Sequence, residues 1–185
     1  MKTDLSSYNN SWYAPTIGAS RFKQFVWYYF NAFVFATQFF PISGIKVSLL
    51  RFFGAKIGKG LVLKPSVNIK YPWKLTIGDY CWIGENVWID NLTEVVIGNN
   101  VCISQGAMLL TGNHDYSKST FDLSVKSIYL DDGVWIGAHS VVCPGVTCQS
   151  HAVLAVGSVA TKNLEPYTVY QGNPALPIKE RIIPE

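Results

Sequence analysis

The chain has 185 residues, with Lys+Arg 15 against Asp+Glu 12 and a formal net charge of +3. That length fits one domain, which typically holds about 100–200 residues, and a hydrophobic fraction of 49% is ample for a core. The charge is mild and the basic residues are spread out rather than packed in a run, so no nucleic-acid partner is expected.

Residues 1–20 are polar apart from a few side chains such as Tyr8, Trp12 and Tyr13. No basic segment precedes an apolar run, so a signal peptide is not expected and the stretch reads as an N-terminal arm. Residues 21–54 form an aromatic-rich helical segment. Its first part, ended by Pro41, is interrupted by Asn31, Thr37 and Gln38, and it barely reaches the ~20 residues a membrane span needs, so a span is not expected. Ser43 is placed to cap a second helix, with Ile45, Leu49 and Phe53 on one face and Gly54 to end it. Two readings of this segment stay open. The helices close the end of the domain behind them, whose backbone edge would otherwise template aggregation. Alternatively, the aromatic face, flanked by Arg21, Lys23, Lys46 and Arg51, makes a peripheral membrane contact.

From Ile57 to Ala160 an aliphatic or small apolar residue returns at every sixth position. Five triplets result: Ile57, Leu63, Ile69; Ile77, Ile83, Ile89; Ile97, Ile103, Leu109; Leu130, Ile136, Val142; Cys148, Leu154, Ala160. Several of these residues are followed by glycine, as at Gly58, Gly78 and Gly98, and a second small or apolar residue comes four positions on. Each hexad therefore reads as a short strand and a turn, with period-two alternation pointing both apolar positions inward. Such a repeat marks a parallel β-helix, an all-β fold of about five coils over residues 55–165, with 166–185 as a C-terminal tail. Register breaks after Ile69, Ile89 and Leu109 all follow the third residue of a triplet, so their insertions emerge at one edge. The longest insertion is the loop 110–129, with His114 as its only histidine.

The stack itself supplies neighbours for that loop. Lys70 and Tyr71 fall below Asp90 and Asn91, which fall below Leu110 and Thr111. Asp90 and Asn91 read either as contacts for hydroxyl groups or as turn residues, a role that Asp and Asn fill readily. The four cysteines show neither Cys-x-x-Cys spacing nor scaffold density, which fits a reducing, cytoplasmic setting. Cys81 and Cys148 take inward repeat positions and read as small hydrophobes.

The Ile-Gly hexads, Leu109 to Tyr116 (LLTGNHDY), Asp132 to Ala138 (DGVWIGA), Pro144 to Val146 and Gly172 to Ala175 (GNPA) resemble the hexapeptide-repeat acyltransferases. Trp88 to Leu92 and Ser104 to Ala107 extend the resemblance towards the colanic-acid and exopolysaccharide biosynthesis acetyltransferases, the WcaF-like group. The resemblance implies a left-handed coil and a homotrimer with sites between subunits. It also implies a cytoplasmic enzyme, working at the inner face of the membrane if the acceptor is lipid-linked, that moves acetyl from acetyl-CoA to a saccharide hydroxyl by direct attack.

It carries the general base onto His114, a role that suits an imidazole because a hydroxyl must lose its proton as the new bond forms. The oxyanion donor falls on the backbone N–H of Ala138. The stack, not the resemblance, offers Asp90 and Asn91 as acceptor contacts, and Tyr116, Trp82 and Trp88 read either as rings that stack on a sugar face or as packing against a neighbouring subunit. Cofactor contacts fall on Trp135, Gly137, Ala138, Gly157, Ser158, Thr161 and Lys162. Leu176 stands where these enzymes usually carry a basic residue for the phosphates, and Lys179 and Arg181 are the nearby substitutes. No metal is expected, and no Walker or Rossmann loop is present. Cys143 is read as a bystander, since the family transfers directly. The alternatives are an acyltransferase for a small molecule, a β-helix scaffold without activity, and a three-histidine metal enzyme. The last is disfavoured because His114, His139 and His151 fall on different edges.

Overall fold

The structure, a computed structural model, describes residues 2–184. A triangular solenoid is built from three parallel sheets, one per member of each triplet. The first face stacks Lys56–Ile57, Leu75–Ile77, Val95–Ile97, Ile128–Leu130 and Thr147–Cys148. The third stacks Asn68–Ile69, Trp88–Asp90, Met108–Leu110, Val141–Val142 and Val159–Ala160. The second runs from Val62–Leu63 through Trp82–Ile83, Cys102–Ile103, Trp135–Ile136 and Val153–Leu154 to Thr168–Gly172, and ends in the antiparallel strand Ala175–Glu180. The coil is the parallel β-helix that the six-residue repeat requires. Hexad positions sit in register, as in Ile83 opposite Ile103 and Ile89 opposite Leu109. Most of the apolar hexad residues lie in one continuous core.

The coil count exceeds the expected five. Leu164 bridges Cys148 on the first face, and Thr168–Gly172 extends the second, so part of residues 166–185 opens a sixth turn rather than trailing as a tail. Leu164 and Tyr170 are six apart and both buried, a continuation of the repeat.

The first coil has no coil beneath it, and the helical segment takes its place. Helix α1 (Arg21–Phe30), continued by a π turn over Asn31–Phe35, lies against the third face. There Trp27 Nε1–H donates to Ile69 O at 3.0 Å, and Ile69 N–H donates to Asn31 Oδ1 at 3.2 Å. Helix α2 (Ser43–Phe52) lies against the second and first. Ser43 Oγ accepts from Leu63 N–H at 2.9 Å and donates to Leu61 O at 3.3 Å. Lys46 Nζ reaches Lys64 O at 3.4 Å, and the Arg51 guanidinium donates to Ile57 O and Gly58 O at 3.1 and 2.7 Å.

These side chains supply the donors and acceptors that another coil would have supplied, so the sheet edge is satisfied rather than exposed. Two of the four bases expected to flank an aromatic membrane face are thereby redirected. Lys46 is 0% exposed, and Arg51 is bound to the coil. Burial pushes the Lys46 ammonium below its usual pKa, since desolvation disfavours its charged form.

All three insertions lie at the edge between the third and first faces. They are a short 3-10 turn at Pro72–Lys74, the residues around Leu92, and the long loop after Leu110.

Candidate functional site

The long insertion is not a bare loop. Gly112–His114 pairs with Leu123–Val125 as an antiparallel hairpin, with His114 opposite Leu123. The half-buried His114 ring stacks on Phe121, centroids 4.5 Å apart and planes 8° from parallel, and Tyr8 approaches it at 5.7 Å. Its Nδ1 lies 2.9 Å from the Phe121 carbonyl oxygen. A carbonyl can only accept, so Nδ1 carries the proton, and the neutral ring keeps its lone pair on Nε2. That is the tautomer a general base requires. His114, Tyr116, Lys126, Cys143 and Thr161 border a cavity of about 490 Å³. Tyr116 is 84% exposed. Burial pushes the Cys143 thiol upward in pKa, so at neutral pH it stays protonated and poorly nucleophilic.

Asp90 lies opposite Leu110, and its Oδ1 is 3.1 Å from Lys70 Nζ. The pair is held by charge: Oδ1 is buried and receives no aligned hydrogen bond. Asp90 and Lys70 border a groove of about 600 Å³ between α1 and the third face, together with Phe25, Tyr29 and Trp88. Trp82 sits on the second face under the Lys64 ammonium, 4.9 Å from its ring.

Asn91 requires a correction. It is 0% exposed, and its side chain spans the Tyr71 backbone, accepting from Tyr71 N–H at 2.9 Å and donating to Tyr71 O at 2.6 Å. Both ends of the amide are occupied, so Asn91 ties one insertion to the next and offers nothing to an acceptor.

The N-terminal arm runs along the same edge, which sequence reasoning missed. Asp4 N–H donates to Ser119 O at 2.9 Å, Tyr8 meets His114, and the buried Tyr13 donates its O–H to Leu92 O at 2.6 Å. Farther along, Trp73 Nε1–H donates to Ile17 O at 2.7 Å. The arm's aromatic residues were the only available signal, because contacts this distant in sequence leave no periodic trace.

A larger cavity of about 920 Å³ lies on the second face, bordered by Trp135, Gly137, Ala138, Val156, Lys179 and Arg181 among others. The Ala138 N–H has no hydrogen-bond partner among the described residues, as the turn at this corner leaves it free. Gly157 N–H donates to Ala138 O at 2.9 Å, and Gly157 has open space where a Cβ would project. Lys179 has no ion-pair partner among the described residues. These groups fit a long thioester with a phosphate-bearing end: a free donor, an apolar wall and an uncommitted ammonium.

Two expected contacts change character. Ser158 is 1% exposed, with its Oγ accepting from Gly172 N–H at 3.0 Å, so it anchors the chain that follows. Arg181 donates to Gly133 O at 2.8 Å and His151 O at 3.1 Å, which fastens the C-terminal strand. Thr161 and the exposed Lys162 lie at the His114 edge, across the third face from Ala138. His139 and His151 occupy left-handed turn positions, φ 54° and 61°, at the other two corners. Among the described residues no three His, Cys, Asp or Glu side chains gather as metal ligands.

No family model matches the chain. The chain is 39% identical over 165 residues to the Escherichia coli (strain K12) protein provisionally named colanic acid biosynthesis acetyltransferase WcaF, covering 89% of this chain and 91% of that one. It is 32% identical over 136 residues to the galactoside O-acetyltransferase of the same organism, covering 72% and 67%. Among solved structures, a hexapeptide-repeat acetyltransferase from Vibrio cholerae complexed with acetyl coenzyme A shares the fold with TM-score 0.80 and 21% identity, covering 97% and 96%. A galactoside acetyltransferase in complex with coenzyme A gives TM-score 0.72 and 25% identity, covering 86% and 79%. With identity at this level sustained across most of both chains, the chain belongs to the hexapeptide-repeat acetyltransferase superfamily, enzymes that take acetyl from acetyl-CoA.

Proposed function

We propose that this enzyme transfers acetyl from acetyl-CoA to a hydroxyl of a saccharide in exopolysaccharide or capsule biosynthesis. The observation that carries the mechanism is the Nδ1 contact of His114 with Phe121 O, which leaves Nε2 as the acceptor. Nε2 takes the proton of the saccharide hydroxyl as its oxygen attacks the thioester carbonyl. The charge that develops on the carbonyl oxygen is held by the Ala138 N–H. Collapse of the tetrahedral species expels the coenzyme A thiolate, which takes the proton back from the imidazolium, and the acetyl ester is left on the sugar. The base contributes on the order of 100- to 10,000-fold. Lys179 meets the phosphates of the donor, and Asp90, at the border of the groove on the third face, accepts from an acceptor hydroxyl. Tyr116 offers its exposed ring to the sugar face.

In a single chain the Ala138 wall and His114 lie on different corners of the prism, with the third face between them. A homotrimer, with His114 of one subunit facing the Ala138 wall of the next, resolves that separation. The saccharide class is supported by the two relatives named for colanic acid and galactoside acetylation. Among the described residues no helix is long and apolar enough to cross a membrane, and four free cysteines accord with work in the cytoplasm. The test is release of coenzyme A from acetyl-CoA in the presence of a panel of neutral, nucleotide-linked and lipid-linked saccharides, with mass spectrometry of the products. Ester formation that disappears in His114→Asn supports the reading; transfer that survives the change overturns the base assignment.

A further inference from the structure

The apolar face that α1 leaves to solvent has a definite form. Phe22, Phe25, Tyr29 and Phe33 follow at steps of three, four and four, which keeps them on one stripe of a helix. Phe25 contacts Tyr29 at 4.9 Å between centroids, and Tyr29 stacks with Phe33 at 6.2 Å. All four are exposed, Phe22 at 77% and Phe33 at 72%. Trp27, on the opposite side, is the residue α1 buries. A row of rings left in water is costly and calls for a partner.

Charge indicates which partner. Residues 5–78 hold nine of the fifteen basic residues and none of the twelve acidic ones. Spread along the sequence, they are collected by the fold at one end of the prism. Lys46, Arg51 and Lys70 are engaged by carbonyls or by Asp90. Arg21 and Lys23 on α1, and Lys56, Lys59 and Lys64 on the first coil, keep their charge free of any carboxylate among the described residues. The rest of the chain, with twelve acidic and six basic residues, is negative. The molecule is therefore strongly polarised although its net charge is small.

We infer that the α1 face is a docking surface for an anionic lipid bilayer, with the aromatic stripe seated among the headgroups and the surrounding bases drawn to lipid phosphates. A second copy of the chain is a poor occupant by comparison. An isologous contact through this end would oppose two positive surfaces, whereas phosphate headgroups neutralise one. The groove of about 600 Å³ is bordered both by Phe25 and Tyr29 of this face and by Lys70 and Asp90. Docking would present that groove to a saccharide carried on a lipid. This extension rests on the acetyltransferase reading; the docking itself does not.

The experiment is flotation of the full chain with vesicles of phosphatidylcholine containing phosphatidylglycerol, and with vesicles of phosphatidylcholine alone, at low and high salt. Binding is expected only to the anionic vesicles and is expected to weaken with salt. Phe22→Ser with Phe33→Ser, and separately Arg21→Gln with Lys56→Gln, should each lower partitioning by ~10-fold or more while acetyl-CoA affinity and melting stay as in wild type. Equal flotation with neutral vesicles, or no flotation with either, would overturn the proposal. So would a change in oligomer size on Phe22→Ser/Phe33→Ser with anionic binding intact, which would assign the face to a protein contact.

Discussion

Asn91 gives a sharp test, because a structural tie and an acceptor contact predict opposite results. Its buried amide is the sole partner found for the Tyr71 N–H on one side and meets the Tyr71 carbonyl on the other. Truncation in Asn91→Ala strands the Tyr71 N–H next to a closed core, while the Tyr71 carbonyl keeps its bond from Lys74 N–H at 3.0 Å. One unsatisfied buried donor costs about 1–3 kcal/mol. For a chain of this size each kcal/mol lowers the melting midpoint by about 2–4 °C, which gives an expected fall centred on ~6 °C and within roughly 2–12 °C.

Asn91→Asp keeps the shape and can still accept from Tyr71 N–H, but it sets a carboxylate against the Tyr71 carbonyl and should also melt early. Thermal unfolding followed by circular dichroism, with acetyl-CoA present and absent, reads both variants. Melting within a degree or two of wild type, accompanied by a raised KM for the saccharide alone, would refute the structural assignment and return Asn91 to the acceptor site.

Further expectations come from four single side chains. Lys46→Met should leave stability unchanged or raise it by about 1 kcal/mol in urea unfolding, since a buried unpaired ammonium is replaced by an apolar chain of similar length; a large loss would show that its bond to Lys64 O matters more than its desolvation. The same residue gives a pH signature. Its folded pKa lies below its unfolded one, so between the two the unfolded chain binds more protons and wild-type stability rises with pH, a rise that Lys46→Met should lack. Cys143→Ala should retain transferase activity within a few-fold, because a burial-raised thiol is no nucleophile; loss of turnover with the fold intact would call for a covalent intermediate. Lys179→Ala should weaken acetyl-CoA binding by about tenfold without lowering the melting midpoint, the scale of one charge-assisted contact, whereas Arg181→Ala should lower the midpoint because its bonds are to backbone.

The solenoid was legible because its determinant is periodic. Ile83, Ile103, Ile136 and Leu154 stand above one another on one face as their six-residue spacing requires. The edge that bears the insertions followed from the same count, as did the vertical line of Lys70, Asp90 and Leu110. What could not be read lies in contacts between distant segments. Nothing local in Trp27, Asn31, Ser43 or Arg51 announces that their polar atoms replace the hydrogen bonds of a missing coil. Nothing in Tyr8 announces that the arm returns to the His114 hairpin. Asn91 was ambiguous for another reason: an amide that binds a sugar and an amide that binds a backbone are the same residue until burial is known. The sixth turn was overlooked because Leu164 follows Ala160 after four residues, which breaks the period before Tyr170 restores it.

The central claim is that this chain binds acetyl-CoA and activates an attacking hydroxyl through His114. Calorimetric titration of acetyl-CoA into wild type and His114→Ala, paired with the slow loss of thioester to water in both, tests it without the identity of the acceptor. The account predicts saturable binding of one acetyl-CoA per chain in both proteins, with background thioester loss that falls by ~100-fold or more in the variant. Equal thioester loss in the two proteins, or no acetyl-CoA binding in wild type, would contradict it.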